Sequence, residues 1–260
     1  MKLSVVLATY NEEKNLRDCL KSVKGIADEI IIVDGESSDS TVDIAKKFDA
    51  KILIVPNQPI FHINKQIALE QAKGEWILQL DADERVDEEL KQAIKGVSSR
   101  TQGDSLVNGY YLKRKNFFLG TWLKKGGQYP DPVIRLVKKG HAHFPSQSVH
   151  EQIVVNGTVD TLPGHLLHYT APTFDRYLRN SNRYTSLTAA ELKKQHLSFT
   201  LFNWLKYLIW KPKVTFFSLY IRHKGFMDGF PGFIFALFSS LHWATSYIKY
   251  WELCHVKKMH

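Results

Sequence analysis

The stretch WILQLDADERVDEEL, Trp76 to Leu90, runs from an apolar strand straight into a cluster of carboxylates. Residues 76–80 hold four apolar side chains around one glutamine, the run of a strand covered on both faces. It passes into Asp81, Ala82, Asp83 and Glu84 with no glycine or proline between. On an extended strand residues i and i+2 share a face, so Asp81 and Asp83 are expected to leave the sheet side by side. Two bare carboxylates that close repel and raise each other's pKa unless a cation or separate partners intervene. A hard divalent ion, Mg²⁺ or Mn²⁺, takes oxygen ligands and commonly holds substrate phosphates as well, so it fits that place. The plainer reading, an acidic helix start favoured by the helix dipole, suffices for Asp87, Glu88 and Glu89. It explains less about two acids that end a buried strand.

Upstream, short strand-like runs at Leu3 to Ala8, Ile30 to Val33 and Ile52 to Val55 alternate with helical patterns. The helices are Glu12 to Val23, with Leu16, Leu20 and Val23 on one side, then Thr41 to Phe48, then Ile63 to Ala72. This βαβαβαβ order predicts an α/β fold with parallel strands and right-handed crossovers. In such sheets ligands bind outside the carboxyl ends of the strands. Three of those ends are polar: Thr9-Tyr10-Asn11-Glu12, Asp34 to Asp39, and Asp81-Ala82-Asp83, all expected along one edge. No phosphate-binding glycine loop of the Walker or dinucleotide type follows the first strand. Neutralising a phosphate group therefore falls to a metal ion.

Downstream, a helix is expected from about Asp87 to Val97, with Leu90, Ala93, Ile94 and Val97 on its apolar side. The period then changes to strands and loops that complete a mixed sheet, including an Asn156-Gly157 turn between strand-like arms. A long helix follows from about Thr173 to Gln195. From Gly229 to Ile248 no residue is formally charged, a length near the ~20 residues of a spanning helix. Pro231, two glycines, paired serines and His242 dilute that run. With Lys206, Lys211, Lys213, Arg222 and Lys224 among rings of Phe, Trp and Tyr, the composition favours amphipathic helices lying in a headgroup region over a membrane span or an ordinary packing contact.

Charge divides the chain in two. Residues 1–172 carry 22 Lys and Arg against 22 Asp and Glu; residues 173–260 carry 13 against 4, which accounts for the whole net charge of +9. The expected organisation is a catalytic domain over 1–172 and a basic, aromatic-rich helical region over 173–260. Cys19 and Cys254 fit neither a disulfide framework nor a metal-ligand spacing, and the short apolar run after Lys2 reads as a first strand. Both point to the cytoplasmic side of any membrane used, with the protein peripheral on its inner face.

SVVLATYNEEKNL, EIIIVDGESSDSTVDIA, NKQIALEQAKGEWILQLDADE and VHE, in that order, resemble a family 2 glycosyltransferase of GT-A fold. The wider RKNFFLGTWLKKGGQYPDPVIRLVKKG is similar to the branch that includes the lipopolysaccharide inner-core β-1,4-glucosyltransferases. The resemblance implies a Rossmann-like nucleotide-sugar-binding domain with a mixed central sheet, a UDP-sugar donor, a divalent metal and a lipid-linked glycan acceptor. It implies that Thr9, Tyr10, Asn11 and Glu12 hold the nucleotide and that Asp34, with Asp39 nearby, reads the uracil edge. Lys65 sits where the family has a basic residue near base and phosphates. Asp81, with Ala82 beside it, would contact the ribose, and Asp83 and His168 would bind the metal. Glu151 in SVHEQ is the expected base that takes the acceptor's proton, with Asp131 as its rival. Arg135 either reaches a phosphate or pairs with a carboxylate, and Trp122 and Tyr129 either stack on a sugar or pack.

Two other classes compete. One is a different transferase on the cytoplasmic leaflet, such as a polyprenyl-phosphate sugar synthase; a nucleotidyltransferase would want a glycine-rich basic loop that TYNEEKN is not. The other is a non-catalytic protein gripping membrane or nucleic acid by its basic tail. Nucleic acid is disfavoured because the rings come in apolar runs, whereas several cations near an anionic membrane surface hold a protein there reversibly.

Overall fold

The computed structural model describes residues 2–58, 61–98, 106–145 and 152–256. In chain order the elements are β1 (Leu3–Thr9), α1 (Leu16–Ser22), β2 (Glu29–Asp34), α2 (Thr41–Lys46), β3 (Lys51–Ile54), α3 (His62–Gln71) and β4 (Trp76–Leu80). There follow β5 (Glu84–Val86), α4 (Glu88–Ser98), β6 (Val107–Phe118), β7 (Thr121–Trp122), β8 (Asp131–Lys138), β9 (Ala142–His143), β10 (Val154–Val155) and β11 (Thr158–Ala171). The last part is helical: α5 (Phe174–Lys194), α6 (Leu201–Leu205), α7 (Lys211–Phe217) and α8 (Gly229–His255). The main sheet has the order β3-β2-β1-β4-β8-β6-β11-β5. Its first four strands are parallel, and β8 runs antiparallel to β4, so the sheet is mixed, as expected.

Both faces of β1 are covered, which is why Val5, Val6 and Leu7 are all apolar. Val5 and Leu7 face the cluster that contains Leu16 and Leu20 of α1 and Leu90, Ile94 and Val97 of α4, while Val6 faces the cluster with Ile31, Val33, Ala68 and Leu69. Each such side chain, fully buried, contributes about 1.5–3 kcal/mol.

One expectation shifts. The first helix begins at Leu16 rather than Glu12, because Asn11 adopts φ +53° and Glu12 O accepts the N–H groups of Asn15 and Leu16 in a preceding turn. The Asn156-Gly157 turn lies between two strands as expected, and it joins two sheets: β10 pairs with β9, while β11 lies in the main sheet. Asn108 decides this, donating from Nδ2 to Asn156 O at 2.8 Å and occupying the space a Cβ on Gly157 would need.

The chain forms two compact units, residues 1–114 with 131–168, and residues 115–130 with 169–260. The second thus takes in the β7 hairpin as well as the C-terminal helices. Its core joins Ala189 and Leu192 of α5 to Tyr207, Tyr247 and Tyr250. Lys249 Nζ of α8 lies within hydrogen-bond distance of four oxygens of Asn182, Thr185 and Ser186 on α5. Between α6 and α7, and again after α7, the chain winds as wider π-type turns at Lys206–Trp210 and Ser218–Arg222. Among the described residues no helix is long and apolar enough to cross a membrane.

Candidate active site

The carboxyl ends of β1, β2 and β4 are neighbours in the first unit, and Thr9 pairs in register with Asp34. The loops that leave β1 and β2 are laced together. Thr9 Oγ1 and Ser37 Oγ donate to Asp34 Oδ2 at 2.8 and 2.7 Å, and the Ser37 N–H donates to Oδ1 at 2.8 Å. Asn11 N–H donates to Ser37 Oγ, Ser38 N–H to Asn11 Oδ1, and Glu12 N–H to Thr41 Oγ1. Asp39 accepts the Thr41 N–H at the start of α2 and also takes the Glu13 N–H. Burial opposes its charge, but these donors outweigh burial and bring its pKa below the ordinary carboxylate value. Asp34 is 1% exposed, so here its carboxylate fastens the rim, while Tyr10 stands outside, 48% exposed.

After β4 the backbone departs from the extended path the sequence predicted. Residues 81–84 make a turn closed by the Glu84 N–H on Asp81 O at 2.9 Å. The i, i+2 argument therefore fails, and the two acids face different partners. Asp81 Oδ1 lies 2.5 Å from Lys65 Nζ of α3, and Oδ2 lies 2.7 Å from Arg135 Nη2 of β8. Asp83 Oδ1 lies 3.7 Å from His168 Nε2 of β11. Burial would push the Asp81 carboxyl up, but Lys65 and Arg135 hold it well below the usual range. For Lys65 the balance runs the other way: burial lowers its pKa further than Asp81 raises it.

Around this pair lies a chain of alternating charges. Arg135, 8% exposed, also donates to Glu84 Oε1 at 2.9 Å and to Gln79 Oε1, and its Nε is buried without a hydrogen-bond partner among the described residues. Glu84 is fully buried, accepts the Asp81 N–H, and lies 3.6 Å from Arg114 Nη1. Arg114 grips Asp131 Oδ2 through Nε and Nη2 at 3.0 and 2.7 Å. Arg135 thus pairs with the carboxylates of Asp81 and Glu84. Sequence reasoning missed Glu84, Gln79 and Arg114. The polar Gln79 inside an apolar strand was the available signal, since a buried amide needs a partner.

A second group lies nearby in sequence. Ligand atoms of Asp87, Glu89 and His165 are all within 4.8 Å of one another, a spacing that could hold a divalent ion. Asp87 also caps α4: Oδ1 accepts the N–H groups of Leu90 and His165, and Oδ2 faces His165 Nδ1 at 3.2 Å. Trp122 and Tyr129, in the second unit, meet edge to face at 5.3 Å, with Lys115 and Lys124 over the indole. Glu151, the expected base, lies outside the described residues.

Parallel strands opening at their carboxyl ends onto laced polar loops, with an acid–x–acid turn after the central strand, define a nucleotide-sugar-dependent glycosyltransferase of GT-A fold. Residues 4–148 match the family described as Glycosyl transferase family 2, and the chain belongs to that family. It is 30% identical over 242 residues to an uncharacterized glycosyltransferase of Rickettsia typhi, covering 90% of this chain and 81% of that protein. It is also 30% identical over 249 residues to the lipopolysaccharide core biosynthesis glycosyltransferase LpsC of Rhizobium meliloti, covering 91% of this chain and 87% of that one. The mannosyltransferase PcManGT of Pyrobaculum calidifontis, solved in complex with GDP-Man and Mn²⁺, shares the fold with a TM-score of 0.52 at 12% identity, over 96% of this chain and 87% of that one.

Proposed function

We propose that this chain is an inverting, divalent-metal-dependent hexosyltransferase that moves a sugar from a UDP-sugar to a lipid-linked acceptor of the lipopolysaccharide inner-core type. In this reading the sugar is glucose, and the enzyme works peripherally on the cytoplasmic face of an anionic membrane. The observation that carries the reading is Asp83 facing His168 beside an Asp81 whose charge Lys65 and Arg135 already balance. The acceptor class draws its support from the likeness to LpsC and from the RKNFFLGTWLKKGGQYPDPVIRLVKKG stretch.

The donor set fits a metal. A carboxylate oxygen and an imidazole nitrogen 3.7 Å apart can both reach one ion that binds its ligands at about 2.1 Å. When bound, such an ion neutralises charge that gathers on the departing diphosphate. Asp81, oriented from both sides and able only to accept, suits the ribose hydroxyls. The laced loops Thr9 to Glu12 and Asp34 to Asp39 form the rim for the nucleoside. In the transfer the acceptor oxygen bonds to the anomeric carbon, the carbon–oxygen bond to the diphosphate breaks with its electrons, and the acceptor's proton passes to a carboxylate. Glu151 is that carboxylate in this reading, because Arg114 already holds Asp131.

Titration calorimetry tests the metal directly. UDP is expected to bind at least tenfold tighter with Mn²⁺ than with EDTA, and Asp83→Asn is expected to erase the difference; equal affinity in the wild type removes the metal role. In Asp87→Asn/Glu89→Gln the Mn²⁺ effect should persist. Its loss there alone would move the ion to the Asp87, Glu89 and His165 group. A screen for UDP release from different UDP-sugars, with core-truncated lipopolysaccharides as acceptors, then identifies the donor.

A further inference from the structure

The helical run from Leu201 to Arg222 turns the usual amphipathic arrangement inside out. A helix on a water-soluble protein shows its polar side to solvent. Here eleven residues of the run are exposed and nine of them are apolar, so the solvent face is the hydrophobic one. Phe202, Leu205, Ile209, Val214, Phe217 and Ile221 form a single stripe, with Phe202 72% and Phe217 59% exposed. Their spacing is three, four, five, three and four residues. The step of five follows the π-type turns at Lys206–Trp210, whose extra residue per turn keeps the stripe in line.

The opposite side of the run is fixed in place. Tyr207 is buried and stacks on Tyr247 of α8 at 5.2 Å, Trp243 Nε1 donates to Thr215 Oγ1 at 3.0 Å, and Lys211 lies over the Tyr207 and Trp243 rings. Rotating the stripe inward would break all of these. The uncharged stretch of α8 serves as the floor beneath the run, with Ala236, Ser240 and Tyr247 buried.

Charge identifies the occupant. Residues 201–224 contain five Lys and Arg and no acid, and between Lys193 and Trp251 there are eight against the single Asp228. Asp228 is itself engaged by the N–H groups of Lys124 and Lys125. A second copy would set two cationic rows against each other with nothing between. Nucleic acid would want the cations, not the aliphatic and aromatic side chains, on the outer face.

We propose that this face is a membrane-docking surface of one-sided type: the 201–222 helix lies in the plane of an anionic leaflet. Phe202, Trp210 and Phe217 enter the acyl boundary, and Lys213, Arg222 and Lys224 meet headgroup phosphates. This deepens the lipid-linked acceptor reading, on which it rests for its purpose, by naming the surface that brings the enzyme to that acceptor.

Flotation of the full chain with vesicles tests it. Binding is expected to vesicles of phosphatidylcholine with phosphatidylglycerol, to weaken roughly tenfold at high salt, and to be slight on phosphatidylcholine alone. Phe202→Ser/Trp210→Ser/Phe217→Ser is expected to lose at least tenfold in vesicle binding while keeping the affinity for UDP. Brominated acyl chains should quench tryptophan fluorescence of the wild type, a readout that needs no variant. Unchanged binding by the triple variant, or no quenching, overturns the proposal. So does a lipid-free dimer, seen by light scattering, that the triple variant makes monomeric. Vesicle binding by a wild-type protein that fails to bind UDP would overturn the transferase reading and support this surface.

Discussion

Asp81 keeps its charge against the pull of burial because Lys65 and Arg135 stand on either side of it. Its folded pKa lies below the unfolded value of about 4, so between the two the unfolded chain binds the extra proton. The stabilising contribution is complete above about pH 4 and drains away as pH falls toward the folded value. Urea unfolding measured from neutral to acid pH should show Asp81→Asn with a flatter acid limb than the wild type; parallel curves would assign the acid sensitivity to other carboxylates. The acids of the DADE stretch were visible in the sequence, and so was the need for counter-charge. What was not visible is that a turn after Leu80 gives each acid its own partner. For the proton-accepting step, Glu151→Gln is expected to lose transfer and retain UDP binding, measured by radiolabelled sugar incorporation and calorimetry. If turnover survives there and vanishes in Asp131→Asn, the base is Asp131.

Among the elements, the strands and long helices followed from local pattern. The Thr173 to Gln195 window became α5 with those two residues as its caps, the Thr173 side chain accepting the Arg176 N–H. The position of α4 depends instead on a glycine that local pattern could not flag. Gly164 in β11 has φ +84°, and a Cβ there would sit 2.2 Å from Leu90 N at the start of α4. This close approach is what lets the His165 N–H reach the Asp87 cap. Gly164→Ala therefore combines left-handed strain with a backbone clash and is expected to cost about 3 kcal/mol or more. Chemical denaturation reads this directly, and a loss below about 1 kcal/mol would mean that β11 shifts freely. The start of α1 was misread for a related reason: the backbone at Asn11 is held by contacts with Ser37 and Ser38, residues far away in the chain.

At the scale of the whole molecule, charge is divided between a balanced N-terminal part and a cationic, ring-rich C-terminal part. If the 201–222 stripe serves to bring the enzyme to lipid, its triple serine variant should transfer sugar to a short water-soluble acceptor at the wild-type rate and fall at least tenfold on vesicle-borne acceptor. Equal loss on both acceptors would place the defect in the chemistry instead. The alternation of strands and helices, the polar strand ends, the acid pair and the basic aromatic tail were determined by the sequence by itself, because periodicity and charge are properties of neighbouring residues. The partner each charge took was decided only by the tertiary structure. Arg135 meets Asp81 across 54 positions, and His168 reaches Asp83 from another strand, through the registers of β8 and β11. The outward turn of the 201–222 stripe was decided there too, since only packing against α8 fixes which side of that helix water sees.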